Sequence, residues 1–175
     1  ARTVVYNTEE LTPEDLPDDL TGFTDPEWKG RIGWAPTNAS FQTMITAMRA
    51  IWGEGETVHW LKGIQANDPK VYPKNTPIVA AAAAGEIDVG LVNHYYLHRF
   101  LAEEGQSFGA RNYHPSAGGP GAIVMVSGVG ILSESDNKGT PSGSSTFCCL
   151  KSPNAISLRK PLSIHWPPAS RLLRE

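Results

Sequence analysis

The stretch Ile87-Asp88-Val89-Gly90-Leu91-Val92-Asn93-His94-Tyr95-Tyr96-Leu97-His98-Arg99-Phe100 constrains the fold more than any other. Apolar, β-branched residues alternate with Asp88 and Gly90 as far as Asn93. Tyr96, Phe100 and Leu101 then follow at helical spacing, so a strand is predicted to run into a helix at Asn93. Adjacent side chains point to opposite faces of a strand and diverge by about 100° inside a helix. Two neighbouring phenols, Tyr95 and Tyr96, can therefore aim at one point only at such a corner. Asn93 reads as an N-cap, and the free amides of the first helical turn make the corner attractive to anions.

The rest of the chain supplies partners for this unit. Thr3-Val4-Val5-Tyr6 reads as a strand. Residues 8–19 are acidic and marked by proline, with Leu11, Leu16 and Leu20 anchoring what reads as a connection rather than core. Thr24-Asp25-Pro26-Glu27-Trp28 is a capped turn with Pro26 at its first position. Arg31-Ile32-Gly33-Trp34-Ala35 is a short strand. Asn38-Ala39-Ser40 opens a helix carrying Phe41, Met44, Ile45, Met48 and Ile51, stopped by Gly53 and Gly55. A further helix over 57–66 is predicted to turn Val58, Leu61 and Ile64 inward. After a small strand at Lys70-Val71-Tyr72, Asn75-Thr76-Pro77 opens the helix of 78–84. Arg111-Asn112-Tyr113 and residues 122–132 read as strands joined by a glycine-rich turn. Strands alternating with helices predict an α/β architecture with a largely parallel or mixed sheet.

Charge excludes some functions. The net formal charge is −3, yet residues 1–138 hold ten bases against seventeen acids, and the remaining bases crowd the tail. An acidic body argues against nucleic acid as the main partner. No apolar run approaches the roughly 20 residues of a membrane span. Cys148 and Cys149 are adjacent, which suits neither an ordinary disulfide nor a zinc site. The chain opens on Ala1 with neither Met nor a leader pattern, and is expected to be a fragment or a processed chain.

A pair of phenolates is a hard anionic oxygen donor set, matched to a hard cation such as ferric iron. Binding would release the phenol protons and leave positive charge and open positions for an exogenous anion, held by helix-start amides and by Asn38, Ser40, Asn75 and Asn93. Plainer readings stand beside this one. Tyrosine pairs are more often packing, and Asn38, Asn75 and Asn93 serve equally as helix caps. His94 and His98, four apart, could ligate a metal, but the acid of a zinc-protease motif is missing. Asp88, Glu103 and Glu104 read as a wet face.

Residues 3–137 resemble the periplasmic ferric-ion-binding proteins, the substrate-binding subunits of bacterial iron(III) ABC transporters. The likeness is carried, in order and spacing, by Trp28-Lys29-Gly30-Arg31-Ile32-Gly33-Trp34, Pro36-Thr37-Asn38, Ala84-Gly85-Glu86-Ile87-Asp88-Val89-Gly90-Leu91-Val92-Asn93-His94-Tyr95-Tyr96 and Pro120-Gly121-Ala122. The resemblance implies a non-enzymatic, monomeric protein of the α/β periplasmic-binding-protein type II fold. In that family two lobes joined by crossing strands close on iron outside the cytoplasmic membrane and deliver it to an ABC-type permease. It implies that Tyr95 and Tyr96 ligate Fe3+ and that Asn38, Ala39, Ser40, Asn75 and Asn93 surround a synergistic anion, phosphate or carbonate. Asn38-Ala39-Ser40 departs from the Ser-Gly-Ala of some members, which leaves the anion's identity open.

Residues 1–7 would then be a crossing strand, 8–118 the second lobe, and 119–138 a strand returning toward a first lobe that is largely missing. That first lobe carries the His and Glu ligands some members add, so weak iron binding is expected of this chain alone. From about residue 139 the family pattern stops. One codon choice for residues 141–147, read from the third base, spells Gln-Arg-Phe-Ile-Asp-Phe, and one for residues 162–167 spells Glu-Tyr-Pro-Leu-Ala; both are family wording. Residues 139–175 are therefore expected to be an out-of-frame, poorly ordered tail. The alternatives are a same-fold binder of another anion or metal, a non-functional fragment, or an enzyme using His94, Tyr95 and Asp88.

Overall fold

A computed structural model describes residues 1–115 and 119–126, which fall in one unit, Ala1–Val126. A five-stranded mixed sheet lies between two layers of helix. Its strands are β1 (Arg2–Asn7), β2 (Ile32–Trp34), β3 (Lys70–Val71), β4 (Val89–Asn93) and β5 (Ala110–Tyr113), in the order β3-β2-β4-β1-β5. Strands β3, β2 and β4 are parallel, whereas β1 runs antiparallel to both β4 and β5, with Arg2 opposite Asn93 and Tyr6 opposite Val89. The helices are α1 (Ala39–Ile51), α2 (Glu54–Ala66), α3 (Asn75–Ala83) and α4 (Tyr95–Glu104).

Every residue of β1 and β4 is buried, because helices cover both faces of the sheet. Successive side chains feed separate cores. Val4, Tyr6, Ile32, Val89 and Leu91 pack against Phe41, Met44 and Met48 of α1 and Trp60 and Ile64 of α2. Val5 and Val92 pack on the other face against Ile78, Val79, Ala81 and Ala82 of α3 and Leu97 of α4. Close approach of α3 depends on Gly90, and the seat of Ile87 depends on Gly33. A Cβ on Gly90 would lie 2.2 Å from Ile78 Cγ2, and one on Gly33 would overlap Ile87.

Several sequence expectations need correction. Leu11, Leu16 and Leu20 are 6–8% exposed or less and belong to the first core, so the acidic segment is not mere connection. Burial of each leucine is worth about 1.5–3 kcal/mol, which fixes a segment whose only regular structure is short 3-10 turns. Helix α2 begins at Glu54 and turns Thr57, Trp60 and Ile64 inward, leaving Val58 exposed. The bulk of Trp60 sets that phase: its Nε1 donates to the Leu20 carbonyl at 2.7 Å, and Gly63 admits Thr24 to close contact. Ile51 is likewise exposed.

Asp88 does not sit on a wet face. It is half-buried and ion-paired with Arg31, whose guanidinium lies over the Trp28 ring 4.9 Å from its centre. Glu103 pairs with Arg99 at the surface, in keeping with the expected solvated face. Where a strand was expected from Ala122, a 3-10 turn covers Pro120–Ala122 and residues 123–126 join no sheet, although the Ile123 carbonyl accepts the Arg2 amide at 2.9 Å. The rest of that expected strand and the tail from residue 139 lie outside the described residues.

Gly90→Ala is expected to lower stability by about 1–3 kcal/mol through overpacking against Ile78, seen as a lower urea midpoint at unchanged m value.

Candidate functional site

Topology gathers the site. Helices α1, α3 and α4 each follow one of the parallel strands β2, β3 and β4, so their N-termini lie along the same edge of the sheet. Strand β1 runs the other way, which brings its first residue to that edge. The mouth at the carboxyl ends of parallel strands is where open α/β sheets hold ligands.

Asn38 caps α1 as expected: its Oδ1 accepts the Ser40 amide at 3.0 Å and the Ser40 hydroxyl at 2.6 Å. Ala39, exposed at the first helical position, leaves its amide without an intrahelical acceptor by construction. Asn75 and Asn93 are not caps. Asn75 is the first residue of α3 behind Lys74, and Asn93 ends β4 with His94 in the cap position. Both are at most 5% exposed, and their amides turn sideways to polar partners instead. Asn75 Nδ2 donates to Ser40 Oγ at 3.4 Å, and Asn93 Nδ2 donates to the Tyr95 hydroxyl at 3.4 Å.

The residue that sequence reasoning missed stands at the centre of this group. Arg2 is 1% exposed, and its Nη1 donates to Ser40 Oγ at 3.2 Å, Asn93 Oδ1 at 3.3 Å and Asn75 Oδ1 at 3.4 Å. Its Nε and Nη2, the edge that can grip two oxygens at once, are buried without a hydrogen-bond partner. It takes part in none of the ion pairs among the described residues. Burial pulls its pKa down to about 10, a shift opposed by the neighbouring Tyr95 and Tyr96 phenols. An arginine heading a β-branched strand carries no local mark of this role; only the pairing of β1 with β4 creates it.

The tyrosines open α4. Their rings lie 4.5 Å apart between centres and tilt by 30°, so the corner does bring them together. Tyr95 is half exposed, and the Tyr96 hydroxyl, then Asn93, hold its pKa below the ordinary phenol value. Tyr96 is shifted upward, first by the Tyr95 hydroxyl and then by burial, against a smaller opposing hydrogen bond from Asn75. Asn112 Nδ2 donates to the His94 carbonyl at 2.8 Å and fixes the start of the helix.

Other candidates do not assemble. His94 and His98 have ring centres 6.3 Å apart, and no group of three or more His, Cys, Asp or Glu side chains suited to a metal occurs among the described residues. Asp88 precedes β4, whose five residues put it about 17 Å from Asn93, so it cannot act with His94 and Tyr95.

Neutral amides, a hydroxyl, two phenols and a buried cation thus gather at one end of the sheet. The family model for bacterial extracellular solute-binding proteins matches residues 1–140, and the chain belongs to that family. It is 39% identical over 139 residues to the major ferric iron-binding protein of Neisseria meningitidis serogroup B, covering 79% of this chain and 42% of that protein. Against the Fe(3+)-binding periplasmic protein of Serratia marcescens the identity is 36% over 135 residues, covering 77% and 40%. Iron-bound HitA from Pseudomonas aeruginosa superposes with a TM-score of 0.74 at 31% identity, covering 85% of this chain and 48% of HitA. The chain thus spans less than half the length of the curated relatives it matches. The fold is the type II periplasmic-binding-protein lobe, and the family is one of solute binders rather than enzymes.

Tyr96→Phe removes the hydroxyl that most stabilises the Tyr95 phenolate, so the Tyr95 pKa should rise toward the ordinary phenol value. Ultraviolet difference titration of the single variants measures this.

Proposed function

We propose that this lobe captures ferric iron through Tyr95 and Tyr96 together with a synergistic oxyanion, as part of a binding protein that hands iron to an ABC-type permease outside the cytoplasmic membrane. The observation that carries the reading is Arg2: a buried guanidinium beside two phenols, with no carboxylate partner and one edge unpaired among the described residues. Burying such a charge is costly unless counter-charge arrives. Two phenolates and an oxyanion would supply it, with Asn38, Ala39, Ser40, Asn75 and Asn93 assigned to the anion's remaining hydrogen bonds, a reading supported by the contacts of Ser40, Asn75 and Asn93 with Arg2. A trivalent cation next to Arg2 is repelled unless an anion stands between them, so the anion is a requirement of the site.

Iron is cargo here, not a resident cofactor. The ferric iron-binding protein of Neisseria meningitidis and the Fe(3+)-binding periplasmic protein of Serratia marcescens, as relatives, support ferric iron as the solute and the periplasm as the compartment. The anion half of the site fits phosphate or carbonate equally well, since both offer two oxygens to one guanidinium edge. Residues 1–7, 8–118 and 119–138 are read as crossing strand, second lobe and returning segment. The family match ending at residue 140 supports treating 139–175 as foreign to the fold, and the nucleotide sequence tests whether it is out of frame.

A weakly chelated ferric salt added to the chain should give a visible phenolate-to-iron band only when phosphate or carbonate is present, and only weakly, because two phenolates fill part of the coordination sphere. Tyr95→Phe or Tyr96→Phe should abolish it. Arg2→Met should weaken the anion requirement's half-saturation about ten- to hundred-fold, the worth of a charge-assisted hydrogen-bond pair. An undiminished band in the double Phe variant would overturn the proposal. Anion-induced stabilisation with no iron band in the wild-type chain would instead favour a same-fold anion binder.

A further inference from the structure

A concavity lies away from the tyrosines, where the end of α1 and the first half of α2 meet residues 20–24. It measures about 420 Å³ and is lined by Thr21, Thr24, Trp52, Glu56, His59 and Trp60. That volume falls within the range of small-molecule sites. We propose that it is a binding site for a small organic ammonium ion with an aromatic or apolar body.

The hydrogen-bonding capacity left in the lining selects the class of ligand. Trp60 is 2% exposed and its Nε1 is spent on the Leu20 carbonyl at 2.7 Å. The Thr24 hydroxyl donates to the Thr21 carbonyl at 2.7 Å, and the Thr21 hydroxyl donates to the Asp19 carboxylate. Both threonine oxygens therefore remain as acceptors. Glu56 is exposed and takes part in none of the ion pairs among the described residues, unlike its neighbour Glu54, which Arg49 holds. His59, one turn further along α2, presents a donor or an acceptor according to its tautomer. The lining thus combines two indoles, two committed hydroxyls and an unneutralised carboxylate. An anion or a donor-poor ligand finds little there, whereas an ammonium group finds acceptors, a counter-charge and the half-buried Trp52 ring, each attractive to a cation.

The depth of the cleft is fixed by close packing. Gly63 lets Thr24 approach α2 to a distance that any Cβ would block, since one there would lie 2.7 Å from Thr24 Cβ. Half-buried Trp52 packs against the first core, so one wall is anchored. This site shares no residue with the iron and anion group and stands whether or not that reading does.

The test is a titration of the full chain with phenethylammonium, followed by tryptophan fluorescence and calorimetry, beside the neutral isostere 2-phenylethanol. Saturable one-to-one binding is expected, with the ammonium at least about fivefold tighter, a difference within reach of one carboxylate and cation–π contact. Glu56→Gln, at an exposed position that leaves folding intact, should level the two ligands, and Trp52→Leu should weaken both. No saturable response, equal affinity for the alcohol in the wild-type chain, or an unaltered preference in Glu56→Gln would each overturn the proposal.

Discussion

One guanidinium ties the candidate site together. Arg2 Nη1 reaches oxygens from the start of α1, the start of α3 and the end of β4. Three elements that are far apart in the chain are thereby held in one geometry by a charge that has no acidic partner among the described residues. Neutral acceptors satisfy one nitrogen, while burial pulls the pKa down to about 10 against the opposing effect of the Tyr95 and Tyr96 phenols. If an anion binds as proposed, its charge would offset the cost of burying Arg2, and the same residue would link stability to binding.

The arrangement follows from the direction of the strands. Each helix that leaves a parallel strand starts on the same side of the sheet, and its unsatisfied amides face the same mouth. An antiparallel β1 is the exception that completes the site, because its beginning, not its end, lies there. The distant end of β4 is clamped separately, by the Arg31–Asp88 pair stacked on Trp28 and by the Asp88 carbonyl accepting the Asn7 amide at 2.9 Å. Acid-base chemistry with Asp88 fails for that reason: a single strand separates it from the tyrosines.

Much of the fold was legible because it is written in local periodicity. The β4–α4 corner, the Asn38 cap of α1 and the Pro-marked turn at Pro26–Trp28 all rest on neighbours within four residues. What local pattern misjudged was phase and partnership. Val58 satisfies helical spacing as well as Thr57 does, yet it is exposed while Leu61 packs at the edge of the first core, and the fit of the Trp60 indole under residues 20–24 set that phase. Asn75 and Asn93 carry the sequence signature of caps, yet a buried cation offered their side chains stronger partners than a backbone amide.

The sequence by itself determined that adjacent phenols would sit at a strand-to-helix junction and that helix starts bearing amide side chains would accompany them, since both are properties of short segments with a fixed period. Only the tertiary structure decided that Ser40, Asn75, Asn93, Tyr95 and Tyr96 share one mouth and that Arg2 lies buried among them. Strand order and direction set those distances, and contacts spanning 38 to 91 residues of chain leave no trace in the spacing of the residues that make them.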